Sequence, residues 1–344
     1  MAARPRVKRP LVKSAQISQL LTAWFEKGHR DLPWRKTSDP YRIWISEIML
    51  QQTRAQAVIP YYERFLSRFP TVEALATANE GDVLALWSGL GYYERARNLR
   101  RAARQVAGAF PRDYASIRAL PGIGDYTAAA IASIAFGLPH AVLDGNVLRV
   151  VARVENDPAD IGALRTRRRF QETAQSWLDP RQPGAFNQAL MELGATICVP
   201  KNPLCLLCPV AGECRGYALG TAEQLPVKLR RVEPVKIEGL LLVVRGAARR
   251  RGRILLRQRE PDARRMAGFW ELPTPEQLPR ARVGRHLGEF RHTITHHHYT
   301  FGVAEAAGSS HRPPFRWFAP KELDTIPLST TARKALRLAG VIES

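Results

Sequence analysis

All four cysteines of this chain fall in one short stretch, spaced Cys198-x6-Cys205-x2-Cys208-x5-Cys214. Disulfide frameworks spread their cysteines through a small secreted domain. Four thiols crowded into one loop of a 344-residue chain point instead to a single metal centre. Two centres fit four thiolates: tetrahedral zinc, or a [4Fe–4S] cluster. Generic spacing leans slightly to zinc, yet the loop lacks the two paired C-x2-C arms of a zinc ribbon.

Two carboxylates stand in unusual company. Glu47 sits in "RIWISEIML", where a charge costs several kcal/mol unless it is paired or its proton is retained. The alternative is one wet position on an otherwise dry helix. Asp144 sits in "HAVLDGNVLRV", after an apolar approach and just before a helical run. That is the place of an N-cap, and a capping carboxylate can also face a ligand. Between them in sequence lies "LPGIGDYTAAAI". Its glycines, Gly122 and Gly124, make a tight turn whose bare amides can approach a phosphate, and the helix that follows adds its positive end. A plain corner between two helices is the competing reading.

The elements that must position these residues are mostly helical up to about residue 215. "SAQISQLLTAWFEKG" has helical apolar spacing, and "DPYRIWISEIMLQQTRAQAVIPYYERFLSRFP" opens behind Asp39-Pro40, with first turns apolar almost all round. "VEALATAN", "EGDVLALWSGLG", "ERARNLRRAARQVAGAF", "YTAAAIASIAF" and "FNQALMELGATIC" continue the pattern. Then the texture changes. "IEGLLLVVRG", "GRILLRQRE", "HHHYTFGVAEA" and "PFRWFAP" read as strands, and "STTARKALRLAGVI" as a closing helix capped by Ser329 or Thr330. The expected organisation is a basic disordered arm over 1–14, an all-α domain over 15–216, an interdomain linker over 217–236 and an α+β domain over 237–344.

Composition narrows the partners. There are 52 Lys+Arg against 31 Asp+Glu, a formal charge of +21, far beyond what solubility asks. A polyanion is the natural counterpart, nucleic acid first and an anionic membrane second. No run of apolar residues is long enough to span a bilayer, and the basic N-terminus lacks an apolar signal core. The expected location is therefore the cytoplasm, without membrane association.

Taken together, the Gly-x-Gly hairpin, the following aspartate and the C-terminal cysteine loop resemble the helix-hairpin-helix DNA glycosylase superfamily, in its iron–sulfur branch. The stretches "LPWRKTSDPYRIWISEIMLQQTRAQAVIPYYERF", "WSGLGYYERARNLRRAA", "VLDGNVLRVVAR" and "FNQALMELGATIC" are similar to its adenine-excising members nearly continuously from about 15 to 215. The resemblance implies a [4Fe–4S] cluster on Cys198, Cys205, Cys208 and Cys214. It implies removal of adenine mispaired with 8-oxoguanine or guanine in duplex DNA, by a monomer associated with a bacterial nucleoid. Glu47 would be the general acid, and Asp144 the charge that steadies the cationic sugar, helped by Asn146 and Tyr126. Lyase relatives carry a lysine at the position of Tyr126, and a tyrosine cannot form a Schiff base, so a monofunctional enzyme is implied. Arg30, Trp34, Arg35, Leu50 and Glu192 would line the pocket for the flipped base. Gln52 and Tyr92 would fill or wedge the duplex, and Gly122 and Gly124 would hold its backbone.

The second domain resembles, more weakly, the Nudix-like domain of the same family. The hydrolase signature is absent, because "GFWELPTPEQLPRARVG" lacks its Glu-Glu metal-binding run. Recognition of 8-oxoguanine is the implied role, through Thr295 and His296 in "FRHTITHHHYTF". There Ile294-Thr295-His296 replaces the family's usual Phe-Ser-His, keeping the hydroxyl donor and losing the ring.

Overall fold

The computed structural model describes residues 14–106, 108–229, 233–260, 262–263, 266–294, 296–308, 310 and 312–343. The expected basic arm lies outside the described residues up to position 13. In chain order the helices are α1 (Ser14–Lys27), α2 (Pro40–Leu50), α3 (Ala55–Arg68), α4 (Val72–Thr77), α5 (Glu80–Trp87), α6 (Glu94–Val106), α7 (Tyr114–Arg118), α8 (Asp125–Phe136), α9 (Gly145–Val154), α10 (Leu164–Trp177), α11 (Pro183–Thr196) and α12 (Arg215–Ala218). Strands β1 (Val235–Val244), β2 (Ile254–Gln258), β3 (Trp270–Glu271), β4 (Arg282–Ile294), β5 (His297–Ala307) and β6 (Phe315–Phe318) follow, with α13 (Thr330–Leu338) last. The chain is thus a helical domain followed by an α+β domain, as its patterning predicts. No helix among the described residues is long and apolar enough to cross a membrane.

Compactness divides the chain into two units that interleave in sequence. The first joins Met1–Gln51 to Gly108–Arg231, and the second joins Gln52–Ala107 to Val232–Ser344. The first crossing explains why one long apolar-to-amphipathic stretch is two helices. Gln52 takes a left-handed backbone (φ 58), which a right-handed helix cannot absorb. Arg54 then starts α3 from an extended conformation.

The first unit is built on helices whose ends are fixed by their own side chains. Asp39 accepts from the amides of Tyr41 (2.8 Å) and Arg42 (3.4 Å) at the head of α2. Asp144 accepts from the amide of Val147 (2.7 Å) at the head of α9, and Gly137 closes α8 in the left-handed conformation. The core brings together Ile17 and Leu21 of α1, Ala130 of α8, Val147 and Val151 of α9, Phe170 of α10, and Phe186 and Leu190 of α11. Each of these side chains except Ala130 contributes about 1.5–3 kcal/mol by leaving water. The expected linker folds in part onto this unit. Leu225 is buried, its carbonyl accepts from Arg153 (2.9 Å), and the Val227 carbonyl accepts from the Ile161 amide (3.0 Å).

In the second unit, β1-β5-β4 form one sheet and β3-β2-β6 another. β1 runs parallel to β5 with Val235 opposite His297, while β4 and β5 form an antiparallel pair. Leu241, Val243, Leu256, Trp270, Val303 and Phe318 pack beneath α13, whose N-terminus is capped by Ser329 Oγ accepting from the Ala332 amide (3.1 Å). Besides α10, sequence patterning misses one long element, strand β4. Its outward face is polar and its pairing slips between Val283, His286 and Gly288, so the period-2 alternation is broken.

Candidate active site

Glu47 lies on the third turn of α2 among Trp44, Ile48 and Met49, all buried, and is itself 5% exposed. Of the two readings open in sequence, the wet position is excluded. Burial pushes its carboxyl up to about 7, against the Tyr126 hydroxyl and the Arg35 charge that hold it down. Asp144 adds to the upward push. The Tyr126 hydroxyl, on the first turn of α8, lies within donating distance of Glu47 Oε2 (2.8 Å) and of Met191 Sδ (3.2 Å). Burial, and the carboxylates of Glu47 and Asp144, push the tyrosine well above its ordinary range. It is therefore a neutral O–H at any working pH.

Asp144 caps α9 as its sequence context predicts, and its second oxygen accepts from Asn146 Nδ2 (2.9 Å). Burial raises its pKa, while the Val147 amide and the Asn146 side chain oppose that rise. The two carboxyls therefore differ in what surrounds them. Glu47 has one neutral donor in an apolar shell, and Asp144 has a backbone and a side-chain donor at a helix N-terminus. Asn146 is itself steadied, because its Oδ1 accepts from Arg149 (2.8 Å).

Three of the five residues expected to line the pocket, Arg30, Arg35 and Glu192, meet at one carboxylate. Arg30 donates to Glu192 through Nε (2.9 Å) and NH2 (2.6 Å), and Arg35 NH2 joins at 2.7 Å. Burial alone would raise Glu192; the bonds from Arg30 and Arg35 overcome it and bring the carboxyl down to about 2. Trp34, between these two arginines in the short turn Pro33–Arg35, is buried, and Leu50 is half-buried at the end of α2. Gly122 (φ 79) and Gly124 stand exposed in the turn from α7 to α8. Gln52 and Tyr92 belong to the second unit; both are exposed, and both are left-handed (φ 58 and 47). His296 is half-buried, with its ring 4.1 Å from His297, and Thr295 lies outside the described residues.

The four cysteines line one cavity, walled by Val150, Leu193, Ile197 and Val210. Burial raises three of the thiols, Cys208 to about 12. Arg153, 1% exposed, stands against them. Its NH1 is 3.3 Å from Cys198 Sγ and 2.8 Å from the Val199 carbonyl. No carboxylate pairs with this buried cation among the described residues, so it calls for an anion, and a set of thiolates on a metal supplies one. No group of three or more ligating side chains closes onto a single ion among the described residues. Four sulfurs around one cavity can hold one metal centre, zinc or a cluster.

Arg149 and Arg153 are functional candidates that patterning passes over. The signal was there: two arginines four apart in the otherwise apolar "NVLRVVARV" lie on one helical face. Arg149 donates to the Cys198 carbonyl (2.7 Å) and the Gly194 carbonyl (2.6 Å) as well as to Asn146. A β-carbon on Gly194 would stand 2.6 Å from Cβ of Asn146. Gly194→Ala is expected to displace Asn146, lowering stability by about 1–3 kcal/mol. It should also slow base release at a temperature where the variant is fully folded, measured by thermal melting beside single-turnover excision.

Comparison with known proteins gives the family of the chain. Residues 45–176 match the profile of the HhH-GPD superfamily base excision DNA repair proteins, and residues 244–338 match a NUDIX domain. The human adenine DNA glycosylase is 35% identical, with 92% of this chain and 73% of the relative aligned. A thermostable thymine-DNA glycosylase of known structure superposes with a TM-score of 0.55 at 30% identity, over 60% of this chain and 98% of that one. Endonuclease III in a non-covalent complex with DNA has the same fold (TM-score 0.51, 20% identity, 61% of this chain and 99% of that one).

Proposed function

Since the chain belongs to the adenine DNA glycosylases, base-excision repair hydrolases acting on DNA, we propose that it removes adenine paired with 8-oxoguanine or guanine and leaves the strand uncut. The observation that carries this reading is Glu47, buried, pushed up to about 7 and 2.8 Å from a tyrosine hydroxyl. Adenine leaves poorly as an anion. Glu47 holds a proton to give to N7 of the base, so that the base departs neutral. Asp144, bonded to the Val147 amide and Asn146, faces the oxocarbenium-like sugar that remains, and the sugar's positive charge favours its ionised form. Glu47, now a carboxylate, takes a proton from the water that attacks C1′. Tyr126 steadies Glu47 throughout and offers no amine for an imine.

Glu192 with Arg30 and Arg35, beside Trp34 and Leu50, forms the polar wall of the pocket for the extruded base. Gly122 and Gly124 hold the backbone, and Gln52 and Tyr92 occupy the distorted duplex. In the C-terminal domain, Thr295 and His296 meet 8-oxoguanine. Cys198, Cys205, Cys208 and Cys214 would hold a [4Fe–4S] cluster, which would tie the loop together through its thiolates. Arg153 supplies the counter-charge.

Base release from duplexes carrying A:8-oxoG, A:G and T:G tests the reading. Adenine release from the first two, little thymine release, and no borohydride-trapped adduct are expected. Thymine release or a strong covalent adduct would refute it.

A further inference from the structure

The turn between α5 and α6 is held in a form its residues resist. Gly89 (φ 110), Gly91 (φ 74) and Tyr92 (φ 47) are all left-handed, and a β-carbon on Gly89 would run into the Tyr61 hydroxyl. A tyrosine in this conformation persists only where the surroundings impose it. Part of that constraint is local. Trp87 Nε1 donates to the Gly91 carbonyl (3.2 Å), and Arg95 donates to the carbonyls of Leu90 (3.3 Å) and Gly91 (3.1 Å). The same guanidinium faces the rings of Trp87 and Tyr92, each at 5.5 Å.

The rest comes from far along the chain. Ser88 Oγ donates to the Leu328 carbonyl at 2.6 Å. The Tyr93 hydroxyl lies 3.2 Å from Thr330 Oγ1, and its ring centroid is 4.0 Å from that of Phe269. Arg97 donates to the Ala267 carbonyl at 2.6 Å. Leu328 and Thr330 flank Ser329, the cap of α13, and Phe269 leads into β3. Residues on either side of Tyr92 are thus buried against the C-terminal domain, while Tyr92 is 43% exposed.

We infer that Ser88 and Tyr93 are positioning residues through which the C-terminal domain fixes the Tyr92 turn. Recognition of the base opposite the target and distortion of the duplex then belong to one packed unit. This rests on the reading of Tyr92 as the duplex wedge and of the C-terminal domain as the reader of 8-oxoguanine.

The test is single-turnover excision from A:8-oxoG and A:G duplexes. Ser88→Ala/Tyr93→Phe is expected to lower the preference for A:8-oxoG over A:G by about tenfold, the scale of two neutral hydrogen bonds, with the A:G rate held within about twofold. Tyr93→Phe and Thr330→Val should each give part of the loss. Combined, they should lose less than the sum of the two, because they share the Tyr93–Thr330 bond, while Tyr93→Phe also removes the acceptor that the Gly89 amide meets at 3.5 Å. Equal losses on both duplexes mean a merely structural contact and overturn the inference, as does an unchanged preference. Tyr92→Ala separates the premise from the inference. If it leaves both rates intact, the wedge reading fails; if it damages excision while Ser88→Ala/Tyr93→Phe is neutral, the inference alone fails.

Discussion

Glu47→Gln is expected to slow adenine excision by at least about a thousandfold in single turnover, while binding to an A:8-oxoG duplex survives. Glutamine fits the same space and keeps an acceptor for the Tyr126 hydroxyl, now 2.8 Å from Oε2, but it has no proton to give. Acid–base assistance accounts for about a hundredfold to ten-thousandfold, and here the same group also serves the attacking water. The wild-type pH profile should show the same group. With the carboxyl at about 7 in the fold, the competent form predominates below that value. The rate should fall about tenfold per pH unit above it. The sign for stability is the same. The ordinary value is 4.5, so the folded chain keeps a proton that the unfolded chain releases. The stabilisation this gives is complete at low pH, declines above 4.5 and is lost as pH rises through about 7. Glu47→Gln should remove that pH dependence from both measurements. Near-normal excision by the variant would sink the assignment.

Asp144→Asn is expected to cost about a hundredfold or more in excision and almost nothing in stability. The two roles of this residue separate cleanly, because asparagine caps a helix as well as aspartate does. The bond from the Val147 amide (2.7 Å) has an acceptor in either case. What asparagine removes is the charge facing the cationic sugar. Thermal melting and single-turnover excision on the same preparation decide between cap and catalyst. Unchanged excision would mean that Asp144 is a cap only. A large drop in melting temperature would mean that the charge serves the fold.

Much of this site is legible in sequence because its residues are costly where they stand. A glutamate inside "RIWISEIML" and an aspartate before a helical run each stand out against an apolar background. Resemblance then gives each a role. The cysteine loop announces a metal centre by crowding alone, yet its spacing leaves zinc and iron open. The buried cation of Arg153 beside Cys198 adds that the centre is anionic, and that is a matter of three dimensions. The Glu192–Arg30–Arg35 arrangement is likewise invisible as a contact, since Glu192 is more than 150 positions from either arginine. Arg149 escapes because an arginine in an amphipathic helix is ordinarily a solvated one. Strand β4 escapes because its alternation is interrupted at Gly288, where the register shifts. The break after α2 escapes because no glycine or proline marks it; the left-handed residue is Gln52.

The interleaving of the two units sets an order of assembly. A ribosome releases Gln52–Ala107 more than a hundred residues before Val232–Ser344, the stretch it packs with. The first unit needs only the chain up to Arg231, so it can close around α8, α9 and α11 while the helices looped out of its middle still wait. Those helices pair locally, α4 with α6 and α3 with α5, which gives them shape early. Ser88 and Tyr93 nonetheless lack these partners until Leu328 and Thr330 emerge, 240 and 237 positions further on. A nascent chain thus carries Glu47 and Asp144 in a unit that can close before the turn around Tyr92 meets the residues that hold it.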